Sequence, residues 1–484
     1  MSALRPLTAM DARYRAMPLP MRAALWFTIA GVTLKVVATI TTPIFTRLMS
    51  TEQFGLVSVY NSWLAVLAVA TTLRLSAAVF NKGMSKYPEG REAFTVTMQT
   101  ITTVLVLLLG VLYLVFSTWA NSVTGLSTLI SVALLAELLM TPAVTFWAQR
   151  ERYDFNYRSV VTVTLVMSVG AAILGVVAVL AAEDKATARI LAGSVVQVAV
   201  GAVLYVWNLK RAGTPFVPEY ARFAIGFNAP LVPHYLSMYA LDQLDRIMIA
   251  KLIGLSAAGV YSVGYTVGLA IRVATDSLSS ALIPWQYRRL EEGHLATVER
   301  RLTQVLVFYS ILVLLFIAIA PEFVAILGGS KYAGATYVVP PVAVATYFIF
   351  IYTVLGNVEI YYDSNVMMVY GSVIAAVVNV LLNVMFIPRY GYVAAAYTTL
   401  ACYAGLASAH FLYARKVVAA RTDGGRVISG KTLLRLSAVL IGLSAVLVAT
   451  YPYPLIRLGA VLLLGAGLYI KGDAIQGLLA RDQR

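Results

Sequence analysis

Asp242, Asp245 and Arg246 sit near the middle of an apolar run from about 220 to 253. A charge at that depth of a membrane helix costs about 2.5–3.5 kcal/mol on insertion scales, so it needs a partner or water. Asp242 and Arg246 are four residues apart and can pair along one helix face, with Asp245 on the same side. Two readings stand: a self-neutralised pair packed against neighbouring helices, or the wall of a polar cavity. Three more cations, Lys35, Arg74 and Arg272, also fall inside apolar runs. Each has a plainer reading. Lys35 can snorkel, Arg74 lies within about a turn of the end of its run, and Arg272 has Asp276 one helical turn on. Glu137 and Glu359 are intramembrane carboxyls that can bind a coupling proton or cation, or serve as hydrogen-bonded packing groups. The acidic set for cavity lining or ion coupling is thus Asp242, Asp245, Asp276, Glu137 and Glu359. Catalysis has little to work with. There are three histidines, His234, His294 and His410, without metal-ligand spacing, and no Gly-x4-Gly-Lys-[Ser/Thr] loop for ATP. No catalytic residue, resident cofactor or metal site is expected.

The elements that carry these residues follow from composition. The 484 residues are 60% hydrophobic and 12% charged, with a mean hydropathy of +0.80. Soluble domains hold about 25% charged residues. The apolar residues come in long blocks, and period-two alternation is absent, which excludes a β-barrel. The expected fold is an all-α polytopic membrane protein. With about 20 residues per crossing, about 14 transmembrane helices run near 22–46, 54–80, 93–117, 126–148, 157–181, 188–209, 221–253, 256–286, 299–320, 335–361, 367–388, 392–414, 433–450 and 455–471. Residues 1–20 lack the apolar core of a cleavable signal. Cys402, the single cysteine, leaves no disulfide within the chain.

The net charge of +15 does not indicate nucleic acid, because the basic residues flank apolar runs as orientation signals and headgroup contacts. With the N-terminus in the cytoplasm, 26 of the 37 Lys and Arg fall on the cytoplasmic side and seven on the other, Arg189 and Arg457 among them. The remaining four are Lys35, Arg74, Arg246 and Arg272. This bias places both termini inside. Among the cytoplasmic connections, the one near Asp363 alone has no basic residue.

An internal repeat has an offset of 204. Arg47 through Gly55 matches Lys251 through Gly259, each with a Gly eight positions after the base, and tyrosines follow at Tyr60 in one and at Tyr261 and Tyr265 in the other. Spans 1–6 therefore echo spans 7–12. The expectation is two six-helix bundles related by a pseudo-twofold along the membrane normal, plus two C-terminal helices. The expected segments are a tail at 1–21, an N-lobe at 22–209, a linker at 210–220, a C-lobe at 221–414, a basic linker at 415–432, and the last two spans with a short tail at 433–484.

Asp245-Arg-Ile-Met-Ile-Ala-Lys-Leu-Ile-Gly254 with Ala258-Gly-Val-Tyr-Ser-Val-Gly-Tyr265 resembles the seventh-helix signature of bacterial polysaccharide flippases. Pro43-Ile-Phe-Thr-Arg-Leu-Met-Ser50 with Phe54-Gly55 resembles their first-helix signature. Asn379-Val-Leu-Leu-Asn-Val-Met-Phe-Ile-Pro-Arg-Tyr-Gly391 with Ala394-Ala-Ala396 resembles their eleventh-to-twelfth hairpin, although Ala394 stands where Gly is frequent. These are the O-antigen and exopolysaccharide repeat-unit flippases of the multidrug/oligosaccharidyl-lipid/polysaccharide exporter superfamily. The resemblance covers about 22–416.

It implies a multi-pass protein of the bacterial inner membrane. Such a protein moves a polyprenyl-pyrophosphate-linked oligosaccharide to the outer leaflet by alternating access, with no resident cofactor and with coupling to H⁺ or Na⁺. Its implied partners are that glycan, membrane lipids, and polysaccharide polymerase and assembly proteins. Lys35, Arg74, Arg246 and Arg272 are then candidates for the pyrophosphate, which a guanidinium grips in a bidentate fork. Two alternatives come from the same superfamily. A lipid II flippase shares two extra spans and basic cavity residues. An ion-coupled multidrug exporter typically has twelve spans and an acidic cavity, against which the four cations argue. A membrane polysaccharide polymerase or ligase would carry a long outer loop, and the longest here, near 321–336, is short.

Overall fold

A computed structural model describes residues 14, 16–364, 366–422 and 425–481, with the backbone alone for Lys35 and for 468–481. Expectations about the Lys35 side chain, about residues 1–13 and 15 of the N-terminal tail, and about 482–484 lie outside the described residues. The regular structure of the described residues is all helix, without strands.

The helices are α1 (Leu19–Leu48), α2 (Thr51–Thr72), α3 (Ala78–Lys86), α4 (Arg91–Val115), α5 (Ser117–Thr124), α6 (Thr128–Tyr153), α7 (Tyr157–Ala181), α8 (Lys185–Ala212) and α9 (Pro218–Asn228). After a 3₁₀ turn at Ala229–Leu231 come α10 (Val232–Leu252), α11 (Leu255–Leu269), α12 (Arg272–Glu291), α13 (Leu295–Ala318) and α14 (Ala320–Gly328). A second 3₁₀ segment, Ser330–Tyr337, leads to α15 (Val339–Tyr361), α16 (Val366–Tyr390), α17 (Val393–Arg421), α18 (Gly430–Ala449) and α19 (Pro454–Arg481). Helix occupies all fourteen expected segments. Among the described residues eleven candidate spans are long and apolar enough to cross a membrane, α11 and α12 forming one of them. Outside that set are α10, which carries the central charges, α17, which carries several Thr and Tyr and His410, and the shorter apolar stretch Pro454–Gly467 of α19.

Three expected single helices are broken, each for a local reason. The run 221–253 stops at Ala229–Leu231, where Pro230 and Pro233 remove backbone donors. The run 54–80 ends at Thr72. Leu73 and Arg74 then adopt positive φ of 47° and 54°, and Asn228 donates its side-chain amide to the released carbonyl of Leu73. The run 256–286 breaks at 270–271, so that Arg272 opens α12.

The chain forms two compact units, Met1–Met49 with Tyr60–Tyr235 and Ser50–Val59 with Leu236–Arg484. In the first, α4, α6 and α8 are tied at one end by an ion-pair network. Arg150 bonds Glu92 and, at 2.7 Å, Glu151, while Arg211 reaches Glu92 at 2.8 Å and Glu151 at 3.3 Å. The connections near 90, 153 and 212 therefore lie at the same end of this unit. Ser127 and Asp184 cap α6 and α8 through their side-chain oxygens.

In the second unit α15 is the core helix, buried along most of its length. Helices α18 and α19 are anchored on α13. The Tyr451 hydroxyl donates to the Ile317 carbonyl at 3.1 Å, and Arg457 donates to Ala318 O at 3.2 Å while pairing with Glu322 at 2.7 Å. Arg457 thus satisfies a carbonyl at the end of α13.

The starts of α2 and α11 touch backbone to backbone in this unit. A Cβ on Gly55 would lie 1.9 Å from Leu255 O, and one on Gly259 would lie 2.1 Å from Thr51 O. Thr51 and Ser256 share a hydroxyl hydrogen bond of 2.7 Å. The contact is reciprocal between positions 204 apart, a local twofold at the point where the repeat is clearest in sequence.

Candidate functional site

The three central charges of α10, Asp242, Asp245 and Arg246, are engaged in the second unit, but not as an Asp242–Arg246 pair. Asp242 instead pairs with Arg272 across helices at 3.1 Å, through its Oδ2. Its Oδ1 accepts from Tyr403 at 2.8 Å and faces Tyr265 at 3.5 Å. Arg246 turns back along its own helix, donating to Asp242 O at 2.8 Å and Gln243 Oε1 at 3.3 Å, and lies over the Tyr265 ring at 4.3 Å. Nor is Arg272 paired with Asp276, which is exposed. Arg272 and Asp276 keep their spacing along α12, but Arg272 turns to the carboxylate of Asp242 on α10, which is less exposed than Asp276, so that water screens the pair less. The Arg272 side chain keeps 32% of its exposure and Asp242 22%, so the ion pair is not sealed.

Asp245 is completely buried. Its Oδ2 accepts from Tyr261 at 2.5 Å and Thr399 at 2.8 Å, and its Oδ1 accepts from Asn383 at 2.7 Å. Asn379 donates to Thr399 at 3.2 Å, and Thr398 bonds the Asn383 amide oxygen. A buried carboxylate requires such donors. Here they tie α10, α11, α16 and α17 together. Among the described residues no cluster of three or more His, Cys, Asp or Glu is placed to hold a metal.

Glu359 and His410 form a buried pair between α15 and α17, with Nδ1 to Oε1 at 2.9 Å.

The first unit holds two polar cavities. One, of about 290 Å³, is lined by Arg74, Glu137, Asn61, Thr72 and Ser76 among others. Glu137 accepts from Tyr60 at 2.8 Å and Ser194 at 2.9 Å, and Arg74 lies 5.8 Å from the Tyr235 ring. The other, of about 470 Å³, is lined by Arg189, Gln197, Thr41, Thr164 and Ser168 among others. Thr141 and Thr145 line both, and the buried Thr141 hydroxyl has no hydrogen-bond partner.

Arg189 is not among the candidate site residues named from the sequence, yet it lies in the second turn of α8, stacks on Phe45 at 4.4 Å and faces a cavity. Two glycines make room for it: a Cβ on Gly175 or Gly193 would come within 3.1–3.2 Å of its guanidinium. Arg189-x3-Gly193 is the sequence signal that could have found it. A guanidinium beside hydroxyls and amides can hold an anionic or sugar headgroup.

Comparison with known proteins decides the family. The model of the family described as polysaccharide biosynthesis protein matches residues 21–290. The chain belongs to that family. Protein 1 of the Lsg locus of Haemophilus influenzae is 30% identical over 162 residues, 33% of this chain and 40% of that protein. The match thus spans less than half of the relative's length.

The fold is shared with solved membrane proteins. The lipid II flippase MurJ, in an inward closed conformation, superposes with a TM-score of 0.66 at 13% identity, over 94% of this chain and 100% of that chain. An inward-facing multidrug resistance MATE family transporter of the MOP superfamily gives 0.59 at 13% identity, over 82% and 98%. At that identity the likeness concerns fold. The chain is a polytopic helical membrane protein with the fold that these two structures share.

Proposed function

We propose that the protein is a flippase that moves a polyprenyl-pyrophosphate-linked oligosaccharide from the cytoplasmic to the outer leaflet of the bacterial inner membrane by alternating access, with both termini in the cytoplasm. The observation that carries this reading is the unsealed Arg272–Asp242 pair, walled by Tyr265 and Tyr403. A pyrophosphate carries about two negative charges and cannot enter an apolar interior without cations. Arg272, held by a single carboxylate oxygen, has the remaining donors of its fork for phosphate oxygens, and Asp242 keeps the cation neutralised between substrates.

Membership of a polysaccharide biosynthesis family supports a glycan cargo. The fold shared with a lipid II flippase supports a lipid-linked one. Lipids, and the polymerase and assembly proteins that would consume the product, are the partners this role requires. Transport against a gradient calls for coupling to H⁺ or Na⁺.

Depletion of the protein in its host is the test. Lipid-linked oligosaccharide should accumulate while surface polysaccharide falls, and sugar analysis of the intermediate names the cargo. Accumulation of lipid II with normal polysaccharide would reassign the protein to peptidoglycan. Neither accumulating would overturn the lipid-linked cargo.

A further inference from the structure

Among the acidic residues of the second unit, Glu359 stands apart. It is 1% exposed and His410 2%, so the pair lies in the protein interior, between the core helix α15 and α17. The imidazole satisfies Oε1 at 2.9 Å, while Oε2 is buried and has no hydrogen-bond partner. By contrast, both oxygens of Asp245 accept from neighbours. A buried carboxylate oxygen without a donor is costly as an anion. A proton placed on it removes that cost.

The groups around the pair define a path. Tyr352, on the Glu359 helix, lies 5.7 Å from the His410 ring and stacks on Tyr403 at 6.4 Å and 12°. Tyr403 donates to Asp242 at 2.8 Å, and Asp242 pairs with Arg272 at 3.1 Å. On the other side, Tyr287 of α12 packs on Tyr361, two residues after Glu359, at 5.3 Å. Helices α11, α12, α13, α16 and α18 also pack on α15 or α17. Among the described residues none of them brings a charged side chain onto the carboxylate, whose one charged neighbour is the imidazole.

We propose that Glu359 and His410 are a proton-binding site whose occupancy is read by the Asp242–Arg272 pair through Tyr352 and Tyr403. This rests on the transporter reading above and selects the proton as its coupling ion. The step is a proton transfer alone. One proton lies along the Nδ1–Oε1 line in both states. A second, taken from the aqueous phase, adds to Oε2 and leaves again to water, so that the pair, with its imidazole neutral, alternates between singly negative and neutral. The added positive charge lies across Tyr352 from Arg272 and opposes it, loosening the guanidinium from its resting place.

The test uses the purified full-length protein and the proton itself. Over about pH 5–8, the range in which histidine-linked switches operate, infrared difference spectra should show a protonated-carboxyl band that grows as pH falls. That band should vanish in Glu359→Gln. In His410→Gln, which keeps the carboxyl, it should persist with a shifted midpoint. Arg272→Gln should raise the wild-type midpoint by about one pH unit, about tenfold in proton affinity, because linkage is reciprocal. The same substitution added to Tyr352→Leu should move it far less. Absence of a Glu359-dependent band, or a midpoint that ignores both His410→Gln and Arg272→Gln, overturns the proposal. No lipid substrate is needed. A protein that titrates in this way yet moves no lipid-linked glycan keeps this inference and loses the flippase reading.

Discussion

At the scale of residues, the pair formed by Asp242 and Arg272 replaces the expected in-helix pairing and changes what a substitution should do. Asp242→Asn releases Arg272, not Arg246, whose guanidinium is held by a backbone carbonyl and the Tyr265 ring. Asp242→Asn should tighten substrate binding and slow its release. Arg272→Ala should reduce polysaccharide export at least about tenfold, equivalent to about 1.4 kcal/mol, with normal membrane insertion. Arg272→Lys should restore part of it, keeping the charge and losing the fork. Quantified surface polysaccharide at matched protein levels checks all three. Arg189→Gln should likewise lower export without lowering protein level, because it removes the cation of the larger cavity. Wild-type export in that variant would leave Arg189 a packing residue on Phe45.

The charges on α10 were legible because ionised groups in an apolar run stand out. Their partners were not. Arg272 pairs with Asp242 on another helix, 30 positions away, which spacing within one helix does not show. Asn379 and Asn383 belonged to a recognisable motif, but nothing in their spacing says that Asn383 donates to a carboxylate on α10. His410 looked like one polar residue in an apolar helix, and its partner Glu359 lies 51 positions away.

At the scale of elements, the α2–α11 crossing carries the sharpest steric demand. Gly55 and Gly259 each admit a backbone oxygen where a Cβ would stand within about 2 Å of it. Backbone cannot rotate away as a side chain can. Gly55→Ala and Gly259→Ala should each destabilise the protein by about 1–3 kcal/mol, the usual cost of overpacking. Thermal unfolding in detergent should show the loss, and Gly110→Ala, with nothing within 4 Å of its Cβ, should not. Equal melting of all three variants would mean that the crossing is loose. The spacing of these glycines was readable as a repeat. Their contact was not, because a repeat says which residues correspond and not which ones touch. The broken helices teach the reverse: Pro230 and Pro233 were in plain view, yet uninterrupted hydropathy concealed the turn they impose.

At the scale of the whole molecule, membrane orientation rests on the uneven distribution of Lys and Arg. The ion-pair network joining Glu92, Arg150, Glu151 and Arg211 gathers three connections at one end of the first unit, as the charge count requires. Single cysteines introduced on a Cys402→Ala background at 81–92, 149–157, 210–220 and 287–301 should resist an impermeant thiol reagent added outside intact cells. Cysteines near 122, 185 and 331 should react. Labelling of the first group would invert the orientation and with it the direction of transport. Composition made the polytopic helical class plain, because 60% hydrophobic residues in long blocks leave no other solution. The cargo is a matter of side-chain chemistry in a few places, and it is there that a direct measurement decides. Purified protein would be reconstituted into vesicles carrying a polyprenyl-pyrophosphate oligosaccharide in both leaflets, and the fraction of glycan reached by an external modifying enzyme followed in time. Wild type should expose the inner pool well beyond the half that protein-free vesicles expose, and Arg272→Ala should not. Exposure no greater than in protein-free vesicles, or equal exposure by wild type and Arg272→Ala, would contradict the account.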